Sequence, residues 1–398
     1  MRVLINAASA NMGGALTYII NILKEISIKK TSNAYFIVIV PPDKLDQLSK
    51  LSNKNIIKII PYIYTGHSIV KRIYFDNIII PRMIRKFNID ILFSSTGFGT
   101  IKSPCPQVLL IRNAAYFSNM FKQKYRDANR SFRIIRLRKW LSLLSIKFAD
   151  VVLFPSKSIY EQVKRHISLP EKKFHILHYG FSHSSFLNMN ARPPKITRDI
   201  DKWKDNGCQI LLHVSAYAIH KNLETVIEAL PGLIKSGIKF KFITTIAREK
   251  TGNKVEYDQM INRIYKLGLS NTFIPTGHLE YEQLQFLYSR ADIFIFPSIT
   301  ESFGHPLVEA MNCELPIIAS DIAVNRELCG KAAIYFKPLD IEQCKEKIFE
   351  VLTNKDKKDR ILKYTLKRSK EYVWSSYVDS LINLFKEISD SINKKRVK

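Results

Sequence analysis

The sequence is short of the features that mark several common protein classes. Its 398 residues include only five cysteines, and no two of them form a Cys-x-x-Cys pair, which argues against a zinc site or a disulfide framework. No apolar run approaches the roughly 18 residues of a membrane-spanning helix. The start of the chain, MRVLINAASA, lacks the basic region and long apolar stretch of a signal peptide. These absences predict a folded protein of the reducing cytoplasm.

Acidic residues are also scarce in the first half of the chain. Residues 1–200 contain 32 Lys and Arg but only 10 Asp and Glu, so they carry +22 of the total formal charge of +27. Such an excess attracts anionic lipid, nucleic acid or an acidic substrate. Because no RNA-binding signature accompanies the charge, we expect no nucleic-acid partner.

Apolar, β-branched runs alternate with amphipathic stretches along most of the chain. Seven strand-like runs precede residue 188 and six follow residue 207. This rhythm predicts an α/β fold with two doubly wound, Rossmann-like domains, each a parallel sheet covered by helices. We assign the first domain to residues 1–187, a polar linker to 188–207 and the second domain to 208–373. Open α/β sheets bind ligands at the carboxyl ends of their strands, so we expect the site in a cleft between the domains.

One strand-to-helix turn in the second domain places two glutamates around a Gly-x-Pro sequence, within DIFIFPSITESFGHPLVEAMNC. The pattern predicts Glu301 on the loop and Glu309 in the first helical turn. Backbone N–H groups of Phe303, Gly304 and His305 would then point into the cleft, where a helix start can hold phosphate or a developing oxyanion. The residues alone also allow a simpler interpretation, in which Glu309 favours the helix start and Glu301 is solvated.

This stretch resembles the hallmark of the family 4 retaining glycosyltransferases of the GT-B fold, usually E-G-F-G-x-P-x-x-E-A. Ser302 stands where glycine is common, and His305 where an apolar residue is common. The resemblance covers most of the second domain and implies that this domain binds a nucleotide-sugar. Glu301 would contact hydroxyls of the donor sugar and Glu309 the ribose, while amides near Phe303 to His305 would face the sugar and phosphates.

A second segment, HVSAYAIHKNLETVIEAL, resembles the strand, loop and helix that carry the family's basic pair for the diphosphate. Lys221 matches the phosphate-binding lysine, but Ala216 stands where an arginine is frequent. Ser215 or His220 could help to compensate the second phosphate charge. By itself, Lys221 could also be an ordinary solvated lysine at a helix start.

The first domain matches the family less closely. Gly13 and Gly14 lack the G-x-G-x-x-G pattern, but the resemblance implies that their loop approaches donor phosphate and acceptor. Many relatives have a histidine after the strand QVLLI, where this chain has Arg112 and Asn113. Either residue could contact acceptor or donor. The family's last helix crosses back to the first domain, and residues 374–398 are the matching segment.

A basic amphipathic segment lies between these features. Residues 121–139 contain eight basic residues and one acid. Leu137, Trp140, Leu141 and Leu144 follow the i, i+3, i+4, i+7 spacing of one helix face. Such a segment can lie on an anionic membrane. Alternatively, the apolar stripe is core and the basic face is solvated.

The resemblance implies a retaining glycosyltransferase that moves a hexosyl group from a UDP- or GDP-sugar. The expected acceptor is a lipid-linked saccharide or polysaccharide of the cell envelope, such as O-antigen, lipopolysaccharide or capsule. Lys221 and Glu301 are the residues expected to be essential for catalysis, Lys221 by stabilising the departing diphosphate and Glu301 by positioning the donor. The resemblance implies no metal and no other cofactor, and we expect a peripheral protein on the cytoplasmic face of the plasma membrane. A nucleotide-sugar epimerase of the same fold and a nucleic-acid-binding protein are the alternatives.

Overall fold

The computed structural model describes residues 1–11, 13–29, 34–63, 68–127, 133–181, 186 and 191–396. The chain forms two compact units. Unit 1 contains Met1–Phe117, Ser131–Gly180 and Val373–Lys398, and unit 2 contains Ser118–Arg130 and Phe181–Tyr372. Both are Rossmann-like α/β units, which confirms the predicted fold class.

Each unit is built on one parallel sheet. The strand order is β3-β2-β1-β4-β5-β6-β7 in unit 1 and β10-β9-β8-β11-β12-β13 in unit 2. The strands are β1 Arg2–Asn6, β2 Tyr35–Val40, β3 Ile57–Pro61, β4 Ile91–Ser94, β5 Gln107–Leu110, β6 Val151–Phe154, β7 Phe174–Ile176, β8 Gln209–His213, β9 Phe240–Thr244, β10 Phe273–Pro275, β11 Ile293–Phe296, β12 Ile317–Ser320 and β13 Ala333–Phe336. All thirteen coincide with predicted strand runs, because helices cover both faces of a parallel sheet and its strands are therefore continuously apolar.

Helices connect these strands. In unit 1 they are α1 Gly13–Lys29, α2 Leu45–Ser49, α3 Ile69–Tyr74, α4 Ile80–Phe87, α6 Arg133–Phe148, α7 Lys157–Lys164 and α16 Trp374–Arg396. A wider turn at Phe75–Ile79 joins α3 to α4. In unit 2 they are α5 Asn119–Asp127, α8 Ile196–Asp205, α9 Leu223–Lys235, α10 Lys254–Lys266, α11 Leu284–Tyr288, α12 His305–Asn312, α13 Ala323–Cys329, α14 Ile341–Thr353 and α15 Lys355–Ser369. None of the described helices has the length and hydropathy that a membrane crossing requires.

The strand order reverses once in each sheet. The reversal falls between β1 and β4 in unit 1, and between β8 and β11 in unit 2. The loops that leave the carboxyl ends of two such strands diverge, which opens a crevice where ligands of these folds bind. In unit 2, the loops after β8 and β11 carry Lys221 and Glu301.

The domain boundaries differ from the predicted ones in two places. Unit 1 reaches Gly180 rather than residue 187, and helix α5 belongs to unit 2 although it lies far earlier in the sequence. The predicted linker also contains helix α8, which packs against β8. Ile196 and Ile200 are spaced one helical turn apart on its inner face, and this periodicity is short enough to be missed beside two prolines.

The last helix, α16, returns to unit 1, as predicted. Its first turn buries Trp374 and Tyr377 among aromatic residues of that unit. The Trp374 ring stacks on Tyr179 with centroids 5.8 Å apart, and the hydroxyls of Tyr18 and Tyr377 are 2.5 Å apart. Aromatic pairs of this kind stabilise a core beyond their buried area. The return of the chain is therefore fixed by a dense aromatic cluster.

Gly180 is the position where this packing leaves no space. A Cβ atom there would lie 2.0 Å from the Trp374 backbone nitrogen and 2.4 Å from the Val373 carbonyl carbon. Since these are backbone atoms, they cannot move aside as a side chain can. We predict that Gly180→Ala destabilises the fold by about 1–3 kcal/mol or more, measured by urea unfolding. Gly252→Ala, where a Cβ meets nothing within 4 Å, is the matched control; equal stability of the two variants would contradict the prediction.

Candidate active site

An ion pair joins the loops that follow β8 and β11. Lys221 ends the short 3-10 helix Ile219–Lys221, and Glu301 lies on the loop before α12. Lys221 Nζ donates to Glu301 Oε1 at 2.6 Å, and the side chains are only 17% and 12% exposed. The two residues predicted to be essential are thus brought into direct contact. Lys221 uses one of its three N–H donors on Glu301, which leaves two further donors on the ammonium group.

Backbone and amide hydrogen bonds hold these two loops together. Asn222 has a left-handed backbone with φ of 54°, which asparagine tolerates better than most residues. Its Nδ2 donates to the Pro297 carbonyl at 3.2 Å, and the Ile299 amide donates to the His220 carbonyl at 2.9 Å. The positions of Lys221 and Glu301 are therefore set by the backbone as well as by their own charges.

The charges of this site follow from burial and from the ion pair. Burial is the largest single effect and would raise the pKa of Glu301, but the Lys221 charge, its hydrogen bond and smaller contributions from neighbouring groups together lower the pKa. Glu301 is therefore ionised at neutral pH. Burial lowers the pKa values of His213 and His220 to about 4, so both imidazoles are neutral there. Lys221 is consequently the cation that balances Glu301.

A hydrogen-bonded pair below this site fixes the direction of the Ser215 hydroxyl. His213 Nδ1 lies 2.9 Å from the Ile295 carbonyl, which can only accept, so Nδ1 carries the proton. In the neutral ring, Nε2 must then accept from Ser215 Oγ at 2.7 Å. Ser215 thus spends its only hydrogen on His213 and presents lone pairs. The sequence suggested instead that Ser215 donates a hydrogen bond to phosphate. A hydroxyl that presents lone pairs suits contact with a hydroxyl of a ligand.

The start of helix α12 lies beside the ion pair. Gly304 precedes the helix with φ of 103°, a region that favours glycine. Nothing in the described part of the chain accepts a hydrogen bond from its amide. Phe303 is buried, and its ring packs edge-on against Tyr372 and His305. Phe303 and His305 therefore shape this helix entrance.

Glu309 is deeply buried and lies one helical turn later than predicted. It lies in the second turn of α12, not the first, because the helix begins at His305. Glu309 is 5% exposed, and the Tyr288 hydroxyl donates to its Oε2 at 2.8 Å. Burial raises its pKa to about 7, although hydrogen bonds from Tyr288 and Tyr281 oppose the rise. The contact with ribose stays a prediction.

The four residues singled out in unit 1 lie at two places. Gly13 and Gly14 are the first two residues of α1 and are exposed, with Gly13 at φ of 58°. Arg112 and Asn113 follow β5 and line a cavity of about 210 Å³. Asn113 Oδ1 also accepts from the Ala115 amide at 3.2 Å and so begins a short 3-10 helix.

Two residues that the sequence did not single out lie beside the site of unit 2. Lys124, on helix α5, donates to Asn222 Oδ1 at 2.6 Å and pairs with Glu224 at 3.0 Å. It supports the loop that carries Lys221. Thr300, next to Glu301, is 4% exposed, and its hydroxyl has no hydrogen-bond partner among the described residues. No local pattern identifies Lys124, because 98 residues separate it from Asn222.

A metal site requires several side chains that can share one metal ion. The described residues contain no cluster of three His, Cys, Asp or Glu suited to a metal. Asp199 and Asp201 form an Asp-x-Asp sequence on α8, where Asp201 accepts from Arg290 Nε at 2.8 Å. Metal-independent chemistry stays an expectation.

Comparison with solved structures identifies the class of fold. Anabaena HepE, determined in complex with UDP-glucose, superimposes with a TM-score of 0.70 at 16% identity, over 99% of this chain and all of that one. Two doubly wound units with a last helix that returns to the first define the GT-B fold.

The chain belongs to the group 1 glycosyltransferases of family 4 type. The family model described as "Glycosyltransferase Family 4" matches residues 12–185, and "Glycosyl transferases group 1" matches residues 196–368. The O-antigen chain mannosyltransferase B of Escherichia coli is 29% identical over 110 residues, which cover 28% of this chain and 29% of that protein. The O-antigen chain mannosyltransferase RfbU of Salmonella typhimurium is 26% identical over 202 residues, 51% of each chain. The chain thus spans about half or less of these relatives' length.

The raised pKa of Glu309 predicts a pH-dependent stability. A carboxyl whose pKa is about 7 when folded and 4.5 ordinarily stabilises the fold fully below pH 4.5, and this contribution is lost as the pH rises through 7. We therefore predict that wild type loses up to roughly 3 kcal/mol of unfolding free energy relative to Glu309→Gln between pH 4.5 and 8. Urea unfolding at several pH values measures this difference. Parallel pH profiles of the two proteins, with exposed Glu249→Gln as control, would rule it out.

Proposed function

We propose that this protein is a retaining glycosyltransferase that transfers a hexosyl group from a UDP- or GDP-sugar. The proposed acceptor is a lipid-linked saccharide or polysaccharide of cell-envelope glycan synthesis, such as O-antigen, lipopolysaccharide or capsule. The observation that carries this proposal is the buried Lys221–Glu301 pair beside the unengaged amide of Gly304. The loops after β8 and β11 thus bring together a carboxylate, an ammonium group and a backbone N–H donor at a helix start.

These three groups suit the parts of a nucleotide-sugar. An ionised carboxylate accepts hydrogen bonds from sugar hydroxyls, and its charge strengthens them. Lys221 and the amide of Gly304 would face the diphosphate, since helix starts carry a partial positive charge. Ser215, whose lone pairs are free, and Thr300 would complete the contacts with hydroxyls. Glu309, whose carboxyl is held by Tyr288, is proposed to contact the ribose.

The proposed reaction proceeds by breaking the bond between the anomeric carbon and the diphosphate oxygen. The electron pair leaves with the diphosphate, where Lys221 and the Gly304 amide stabilise the developing charge. The acceptor hydroxyl oxygen bonds to the anomeric carbon on the face that the diphosphate left, and its proton passes to a phosphate oxygen. Configuration is therefore retained. Because protein groups supply the charge compensation, we propose that no metal is required.

The names of the relatives support the coarse assignment. Two curated relatives are named as O-antigen chain mannosyltransferases, and the HepE structure contains UDP-glucose. These names favour a hexose donor and a polysaccharide product over the epimerase and nucleic-acid alternatives. They leave the sugar and the nucleotide of this chain open, so both UDP- and GDP-hexoses belong in the assay.

We predict that Lys221→Met and Glu301→Gln each lower kcat/KM by at least ~10²-fold, because each removes a charge that positions or stabilises the transferred group. Nucleoside diphosphate release from UDP- and GDP-hexoses, with oligosaccharide acceptors, measures the rate with and without a chelator.

Lys239→Met removes an exposed lysine of the same unit and should keep the wild-type rate. Since breaking a buried ion pair can destabilise a protein, the melting temperature of each variant is compared with that of the double variant. Wild-type rates in both folded single variants would show that the site is assigned wrongly.

A separate proposal concerns the membrane. The predicted apolar stripe is only partly core, because Leu137 and Trp140 on α6 are 43% and 57% exposed, and Ile134 is 54% exposed. Arg133 and Arg136 are exposed on the same helix. We propose that α6 lies on anionic lipid, with the apolar side chains at the acyl boundary and the arginines at the headgroups. The protein would then act as a peripheral protein at the cytoplasmic face of the plasma membrane.

We predict that Trp140→Glu reduces sedimentation with vesicles containing phosphatidylglycerol several-fold. The change removes apolar area that the membrane would bury and adds a negative charge that the anionic lipid repels. Each arginine near the surface contributes about 1 kcal/mol, so rising salt should weaken binding. Val255→Glu alters an exposed apolar residue of unit 2 and is the control. Equal binding to neutral vesicles, or unchanged binding of Trp140→Glu, would contradict the proposal.

A further inference from the structure

The cavity in unit 1 has a chemistry of its own. It lies at the carboxyl end of the sheet where β1, β4 and β5 meet, and its volume is about 210 Å³. Ser9, Thr96, Phe98, Arg112, Tyr116 and Ser142 are among its lining residues. Among the described residues that line it there is no carboxylate. The cavity is therefore a pocket whose polarity is set by hydroxyls and arginine.

A buried arginine orients two of these hydroxyls. Arg72 is bonded to Asp76, and both side chains are almost fully buried. Arg72 also donates from Nη1 to Ser9 Oγ at 3.0 Å and from Nη2 to Thr96 Oγ1 at 2.6 Å. Because arginine can only donate, both hydroxyl oxygens accept. No described residue accepts the hydrogens of Ser9 and Thr96 in turn, so both hydroxyls are donors toward a ligand.

Arg112 supplies a third donor at the cavity. Its Nη1 is buried and makes no hydrogen bond with any part of the chain that the structure describes. Its guanidinium lies over the Tyr18 ring, 5.5 Å from the centroid, which fixes the group by a cation–π contact. Buried donors are normally paired, and one that is not marks a place for a ligand or water.

The surrounding charges are mainly positive. Arg138 lies close enough to the Tyr116 hydroxyl to oppose the rise in tyrosine pKa that burial causes. The nearby carboxylate of Asp76 is paired with Arg72 and accepts a hydrogen bond from Asn6 Nδ2. Helix α1 begins at Gly13, and its third residue, Ala15, lines the cavity, so the positive end of the helix dipole is near.

We propose that this cavity binds an oxyanion of the acceptor, a phosphate or a sugar carboxylate, with Arg112, Ser9 and Thr96 as donors. This inference rests on the proposed function, since it names the class of acceptor: one that carries a negative charge near the hydroxyl to be glycosylated. An uncharged hydroxyl needs an acceptor for its own hydrogen, whereas an oxyanion only accepts and matches three convergent donors. A planar guanidinium can also bind it through two parallel bonds.

Titration calorimetry of the full chain tests this assignment. The probes are inorganic phosphate, glucuronate and, as the uncharged reference, glucose, all added to Lys221→Met so that the unit 2 site does not bind phosphate. We expect one of the two anions to bind and glucose not to bind. Adding Arg112→Gln to the Lys221→Met protein should weaken anion binding at least tenfold. Arg112→Lys, which keeps the charge without the planar fork, should lose less.

Arg82→Gln removes an exposed arginine from the same unit and should leave anion affinity unchanged. Thr96→Val keeps the shape of the side chain and removes the hydroxyl, so it should also weaken anion binding. It serves as the test if Arg112→Gln proves unstable. Binding of phosphate alone would assign a phosphorylated acceptor, and of glucuronate alone an acidic sugar. Equal binding of glucose, or unchanged anion affinity in both folded variants, would overturn the inference. The readout involves no transfer, so it is independent of whether the donor assignment is right.

Discussion

The contact between Lys221 and Glu301 is the constraint on which the proposed site depends. Neither charge is stable in this buried position without the other, since an unpaired buried charge is far more costly than a paired one. The pair ties together the loops of two adjacent strands at the point where the strand order reverses. A ligand that engages both residues must therefore lie at this crevice.

The surrounding residues are arranged around that pair. Burial keeps His213 and His220 neutral, so they do not compete with Lys221 for Glu301. His213 instead accepts the hydroxyl hydrogen of Ser215. Ser215 can therefore accept a hydrogen bond from a ligand, but it does not donate one to phosphate. Gly304 provides an amide at the helix entrance that a residue with a side chain could hardly supply at φ of 103°. The Lys221–Glu301 pair supplies the charges of the site, and the neighbouring residues set the directions of its hydrogen-bonding groups.

Much of this could be predicted from the sequence. The apolar runs predict all thirteen strands, and the Gly-x-Pro sequence at Gly304 predicts the strand-to-helix turn there. Contacts between distant residues could not be predicted: Lys124 meets Asn222 only because α5 joins unit 2. Hydrogen direction also requires coordinates, because the tautomer of His213 depends on the Ile295 carbonyl. The sequence does not predict helix α8, because three apolar residues (Ile196, Ile200 and Trp203) in a polar stretch that follows two prolines are a weak signal.

The most direct test of the central claim is a crystal structure of the protein with UDP. We predict diphosphate oxygens within hydrogen-bond reach of Lys221 Nζ and the Gly304 amide, with the ribose toward Glu309. A nucleotide bound elsewhere, for example with its diphosphate against Arg112 and the hydroxyls of Ser9 and Thr96, would contradict it.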